Sequence, residues 1–358
     1  MMPDAPSTIS KQTLMSSRRA LARRQMFVGI FLLVMIIGGI VCSVNLGDAS
    51  ISTRRILTIL WAKITSQDAL LAQMPQAHSA IVWDIRLPRI LLAVIVGGGL
   101  AASGAAFQAL LLNPLADPYT IGVSTGAAFG AAAAMYANLF VARMKLPIPL
   151  CAFGGAMCAL FIVLKMATRR GCLSAVNLIL AGIIVSSVLS AGISVLKTAS
   201  GEQVSAIVFW LMGSLAARRW QDVWLCLPIV AVGTSVCAYF GRDLNLMSLG
   251  DEDARSLGVP VQTVRRVCVV AASLMTAACV SVSGVIGFVG LIVPHLLRLA
   301  LTSDNRALLP LSALIGGLLL LMADNVSRLL FALDMPVGVI TTLLGGPFFL
   351  CIFLKNNR

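Results

Sequence analysis

Charge is what this sequence lacks most. Only 11% of its 358 residues are Asp, Glu, Lys or Arg, against roughly 25% in a soluble domain. A soluble fold of this length could not cover its core with so little polar surface. Carboxylates are the scarcer sign, 14 against 27 Lys and Arg, which leaves a net charge of +13. Such a charge suggests nucleic acid, but the basic residues lie between apolar runs rather than clustering with aromatics, so that reading is excluded. Histidine is limited to His78 and His295, too few and too isolated for a metal site. The nine cysteines contain no C-x-x-C and lie mostly inside apolar stretches. Zinc sites and disulfide frameworks need clustered thiols, so these read as small apolar filler. None of the six lysines closes a G-x-x-x-x-G-K-[S/T] loop, so any ATP used by the system is hydrolysed by another chain. Catalytic constellations are missing as well, and the reading carries no catalytic and no metal residues.

What is present is apolar length. Hydrophobic residues make up 59% of the chain, and a bilayer crossing needs about 20 of them in a row. Such runs occupy 26–44, 88–112, 117–139, 148–167, 175–197, 222–240, 264–283, 285–301, 308–326 and 337–354. The expectation is an all-α polytopic membrane protein of about ten transmembrane helices. The first run is too long for a secretory signal and lacks a small-residue cleavage site. Residues 1–25 therefore read as a cytoplasmic tail and 26–355 as one spanning domain. Alternating the spans puts 16 basic residues inside and 11 outside. That bias places both termini in the cytoplasm.

Two segments do not fit simple spans. Residues 45–87 read as an external, periplasmic stretch with short helices, carrying Arg54, Arg55, Lys63, Arg86 and, just beyond it, Arg89. Residues 203–219 are too short to cross. They read either as a partly embedded pathway element or as a turn lying on the surface. The second and third spans are rich in Gly, Ala and Ser, including the G-x-x-x-G of Gly126 and Gly130, a packing signal for closely approaching helices. Aspartates fall near span ends or in loops, among them Asp48, Asp84, Asp117, Asp222, Asp243, Asp304, Asp324 and Asp334. Proton- and sodium-coupled carriers usually place carboxylates or broken helices at mid-membrane, so that class is the weaker alternative.

The hydrophilic loop at 241–262 contains GDEDARSLGV, residues 250–259. Asp251, Glu252 and Asp253 favour a helix N-terminus, and Gly258 a helix end. A short capped helix between two spans either fits a partner's groove or is an idle loop helix.

Several strings resemble one family when taken together. They are RLPRILLAVIVGGGLAASGAAFQALLLNPLADPYTIGVSTGAAFG (86–130), LAGIIVSS (180–187), FWLMGSL (209–215), LGDEDARSLGV (249–259), SGVIGFVGLIVPHLLRL (283–299), LLPLSALIGGLLLLMADNVSR (308–328) and MPVGVITTLLGGPFFLCIFLK (335–355). In order and spacing they resemble the FecCD-type permeases of bacterial ABC importers for iron–siderophores, haem and cobalamin. The resemblance implies a type II ABC importer permease fold in the bacterial inner membrane. It implies a permease dimer, expected as a homodimer, two cytoplasmic ATPase subunits and a periplasmic substrate-binding protein. No cofactor is expected in this chain, because ATP and magnesium would be bound by the ATPase. Gly250, Asp251, Glu252, Ala254, Leu257 and Gly258 match the family's coupling element. Arg86, Arg89 and Arg328 match its docking arginines, the alternative being membrane-interface snorkelling, with Arg328 pairing with Asp324 one turn earlier. Ser174, Ala175, Val176 and Asn177 match the cytoplasmic gate, and Ser186, Ser187 and Ser190 the pathway. For each serine the competing expectation is a bond to its own helix carbonyl.

Overall fold

The computed structural model describes residues 11–47, 49, 51–72, 74–141, 145–330 and 335–356. Asp48, Asp334 and the first ten residues of the expected tail lie outside them. The outer and inner ends are named here from the basic-residue bias. Helix α1 (Lys11–Asn45) runs without a break from the basic tail through the first apolar run. The outer segment follows as α2 (Thr53–Ile64), α3 (Asp68–Ala72) and α4 (Gln76–Ala80). A π-helical turn, Ile81–Arg86, then feeds directly into α5 (Leu87–Leu110). Helices α6 (Val123–Phe140) and α7 (Ile148–Ala167) come next, with strands β1 (Thr168–Arg169) and β2 (Cys172–Leu173) after them. The remaining helices are α8 (Ala175–Ala199), α9 (Val204–Leu211), α10 (Trp220–Tyr239), α11 (Gly241–Met247) and α12 (Asp251–Ser256). The chain closes with α13 (Val261–Ser283), α14 (Val289–Ala300), α15 (Asn305–Leu330) and α16 (Val337–Asn356).

Each of the ten apolar runs falls on a helix, and seven of these helices are long and apolar enough to cross a membrane. Three expectations need correction. The second span does not start at 88, because helical structure is continuous from Gln76 to Leu110. The third starts at 123 rather than 117, and the eighth is only twelve residues. At 1.5 Å per residue α14 is about 18 Å long, well short of a ~30 Å hydrocarbon core. The fold is also not purely α: β1 and β2 form a hairpin whose turn residues Arg170 and Gly171 both have positive φ, as two-residue hairpin turns require.

Helix α5 is the axis of the bundle. Its apolar window is 83% buried, against 22–33% for α1, α7, α8 and α10. Small residues make this possible. A Cβ on Gly97 would sit 2.2 Å from the Gly316 carbonyl of α15, and one on Gly316 would sit 2.3 Å from the Gly97 carbonyl. The same reciprocity joins Gly126 and Gly155, so the G-x-x-x-G of α6 packs on α7. Without a hydrophobic force between helices in lipid, this closeness supplies the van der Waals contact that holds them.

The breaks flanking α14 and α6 are satisfied by protein. Tyr119 donates its hydroxyl to the Ile286 carbonyl at 2.6 Å and accepts the Ile286 N–H at 3.2 Å. Asp117 accepts the Tyr119 N–H, fixing the turn that carries the ring. Residues 210–214, 283–286 and 338 meet in one junction, where the Ser214 N–H donates to the Ser283 carbonyl and the Gly338 N–H to the Gly213 carbonyl. Non-helical backbone survives in a bilayer only when buried and bonded in this way. The 203–219 segment is thus α9 plus one limb of that junction. Two cysteine pairs, 226 with 279 and 237 with 268, face each other across α10 and α13. Among the described residues no group of three potential metal ligands assembles.

Candidate functional site

The inner end holds a connected set of polar groups. Gly250 precedes α12 with φ +119° and Gly258 follows it with φ +85°, conformations that glycine adopts without a Cβ penalty. Between them Ala254 is buried against the chain, while Glu252, Asp253 and Leu257 are exposed. The expected coupling residues therefore divide into an inward anchor and an outward face. Leu249 and Leu257, 61% and 59% exposed, are the two large apolar side chains on that face. Leu249 carried no signal beyond its place at the edge of the 249–259 string.

Asp251 faces inward. Arg265, from the first turns of α13, donates to its two carboxylate oxygens at 2.7 and 2.9 Å. These bonds hold the Asp251 carboxyl below its ordinary value of 3.8, outweighing partial burial. Arg265 also donates to the Leu173 carbonyl at 3.1 Å, and the neighbouring Gln262 accepts the Leu173 N–H at 2.8 Å. Leu173 closes the hairpin and immediately precedes Ser174, the residue that caps α8. Helix α12, the base of α13 and the start of α8 are therefore joined through one arginine and one glutamine. Neither was singled out in the sequence, where Arg265 sits at the start of the 264–283 apolar run.

The residues expected at the gate and along the pathway separate by face. Val176, Ser187 and Ser190 lie on the exposed side of α8 with Leu180, Ile183 and Val188, while Ser174, Ala175 and Asn177 are half-buried. This exposed stripe recurs at helical spacing along the whole of α8. Ser187 donates to the Ile183 carbonyl at 2.9 Å, the local bond expected as its alternative. Ser186 turns instead toward α6, where a Cβ on Gly122 would lie 2.9 Å from its hydroxyl.

At the outer end the three expected docking arginines are held inside the chain. Arg86 is buried and donates to the Val44 and Ala49 carbonyls at 2.8 and 2.7 Å, which latches the end of α1. Arg89 donates to both oxygens of Asp324 at 3.0 and 3.2 Å, and Arg328 approaches the same carboxylate at 3.2 Å. Asp324 is fully buried. Asn325 extends the cluster, donating to Ser43 at 2.7 Å and accepting from Arg328. The Arg328–Asp324 pair is the alternative that helical spacing suggested. The cluster ties α1, α5 and α15 together at the outer rim, and α2 carries two exposed cations, Arg54 and Arg55.

Known proteins match this chain over most of its length. The chain is 46% identical over 285 residues to the cobalamin import system permease protein BtuC of Halobacterium salinarum, covering 80% of this chain and 76% of that protein. It is 40% identical to the uncharacterized ABC transporter permease protein YvrB of Bacillus subtilis, covering 92% of each. A solved structure described as an inward-facing conformation of a metal-chelate type ABC transporter superposes with a TM-score of 0.78 at 31% identity, covering 92% of this chain and 99% of that one. Residues 32–355 match the model of the FecCD transport family, and the chain belongs to that family.

Proposed function

We propose that two copies of this chain form the membrane pathway of an ATP-driven importer that carries a metal chelate of the cobalamin, haem or iron–siderophore class inward. The observation that carries this reading is the inner network. A partner gripping Leu249, Glu252 and Leu257 pulls on α12, and Asp251–Arg265 passes that displacement to Leu173 and the start of α8. The exposed stripe of α8 faces a second copy across the pathway, and its neutral, mildly polar surface lets a bulky chelate pass without strong binding. All ten helices that meet the apolar runs cross the bilayer, with α14 and its flanking breaks together making one passage. ATP and magnesium belong to the ATPase subunits docked below. A binding protein docks on the outer rim, where three arginines and one aspartate leave a net charge of +2 that attracts acidic side chains.

The test is reconstitution of the chain with its ATPase and binding protein in proteoliposomes, offering cyanocobalamin, haemin and a ferric siderophore in turn. ATP-dependent accumulation of one of them supports the reading. Accumulation driven by a proton or sodium gradient without ATP would overturn it in favour of a secondary carrier. Glutamate at Arg54 and Arg55 should weaken stimulation of ATP hydrolysis by the binding protein and leave the basal rate intact.

A further inference from the structure

Helices α10 and α13 leave an apolar groove between them that the transport reading does not use. It encloses about 650 Å³. The groove lies apart from the pathway helix, since α8 packs on α6, α7 and α9, whereas α10 packs on α13, α5 and α15. Pro228, Val232 and Val236 line one wall, and Arg266, Val270 and Leu274 the other. Each set recurs every four residues, so each forms one stripe of its helix. From 228 to 236 the helix rises about 12 Å, close to the ~15 Å half-thickness of a hydrocarbon core. The groove therefore runs from the inner interface to about mid-membrane, the depth of one leaflet.

Its inner end is basic. Arg266 is exposed there and donates to the Gly171 carbonyl. That bond sets the β1–β2 hairpin, with its exposed Arg169 and Arg170, beside the mouth of the groove. Arg242 and Asp243, at the start of α11, add no net charge on the same side. An apolar slot one leaflet deep that ends in three guanidinium groups matches a single acyl chain with an anionic headgroup. We propose that it holds an anionic phospholipid of the inner leaflet, with its phosphate against Arg266 and the hairpin arginines. The hairpin also carries Leu173 and leads into α8, so a lipid held here braces the segment that the coupling network moves.

The test uses the full transporter complex in nanodiscs containing phosphatidylglycerol and phosphatidylcholine of matched acyl chains, with retained lipid counted by native mass spectrometry. One basic residue near a headgroup is worth about 1 kcal/mol, or roughly fivefold in retention. Wild type should retain phosphatidylglycerol over phosphatidylcholine. Arg266→Gln, a surface change, should cut that preference about fivefold, and adding Arg169→Gln and Arg170→Gln should abolish it. Val232→Trp with Val270→Trp should fill the slot and lower retention of both lipids, with Val270→Phe as a milder variant if the double change does not fold. An unchanged lipid ratio in the triple arginine variant would refute the headgroup assignment. Unchanged retention when the slot is filled would refute the groove as the site, as would a polypeptide retained there in place of lipid. These outcomes are independent of whether the complex transports a chelate.

Discussion

Asp251→Asn isolates the proposed link between α12 and the start of α8. The side chain keeps its size but loses the charge that holds Arg265 through bonds of 2.7 and 2.9 Å. Hydrogen bonds to a charged group contribute about 1.5–3 kcal/mol. The Asp251 side chain is 34% exposed, so solvent screening lowers the expected loss to about 1–2 kcal/mol. Arg265 is only 5% exposed, and its Nε already lacks an acceptor among the described residues, which leaves it little chance of recovering the bond elsewhere. A loss of this size shifts the docked-to-undocked ratio of α12 by roughly 5- to 30-fold. In proteoliposomes the variant should hydrolyse ATP within about twofold of wild type while uptake falls by roughly that 5- to 30-fold factor. ATP consumed per molecule transported should rise accordingly. Arg265→Lys, which keeps the charge but not the two-pronged geometry, should behave similarly. The folded-state pKa of Asp251 lies below the ordinary 3.8. Its contribution is therefore present above the unfolded value and is lost only as pH falls through the folded one, so coupling should be flat in pH across the neutral range. Unchanged uptake and an unchanged ATP ratio in Asp251→Asn would refute the coupling path.

Three further outcomes follow from the same structure. Leu249→Ala with Leu257→Ala removes the exposed apolar contacts of the coupling surface; ATPase co-purification should drop while the thermal stability of the permease alone stays unchanged. Asp324→Ala leaves Arg89 and Arg328 buried at the outer rim without their shared carboxylate. Breaking a buried pair in this way costs about 3–5 kcal/mol, so the thermal midpoint in detergent should fall clearly, whereas an unchanged midpoint would mean that the cluster is not structural. Tyr119→Phe removes two bonds to the Ile286 backbone, a loss of about 1–3 kcal/mol for each buried group left unsatisfied. Hydrogen exchange at 284–288 should accelerate while exchange within α5 stays slow.

Apolar length was legible in the sequence because a lipid solvent imposes it run by run, and each of the ten runs meets a helix. Boundaries were less legible wherever the chain breaks a helix inside protein. Hydropathy averages 117–122 and 285–288 into their neighbouring runs, yet the first is a turn closed by its own Asp117, Tyr119 and Thr120 and the second is bonded through Ile286 to the Tyr119 hydroxyl. The glycine packing was readable because a G-x-x-x-G has few other uses at membrane depth. Polar partners distant in sequence were not readable. Arg89 and Asp324 are 235 residues apart, and nothing local distinguishes an arginine that faces a partner from one that closes an internal cluster. Arg265 was missed for the same reason: its partner Leu173 contributes only a backbone carbonyl, which leaves no trace in side-chain identity.

The distribution of close packing decides which part of the chain can respond to a displacement of α12. Helix α5 is locked to α15 through Gly97 and Gly316 and to α14 through Gly104 and Gly290, each with backbone carbonyls where a Cβ would stand. Shifting those helices against one another would separate surfaces that have no side chains to re-pack, and close-packed interiors deform poorly. Helix α8 differs, since only 28% of its apolar window is buried and one stripe of it is exposed along its length. Local freedom follows from few buried contacts, so α8, like α1 and α10, is less constrained than the α5–α14–α15 core, and of these α8 is the one the hairpin joins to the α12 network. The hairpin that starts α8 is held by Arg265 and Gln262 from the base of α13, a helix that itself packs on α5. In the proposed coupling, a pull on α12 tugs Arg265 and through it Leu173, and α8, which packs chiefly on α6 and α7 rather than on α5, follows while the α5–α14–α15 core stays in place.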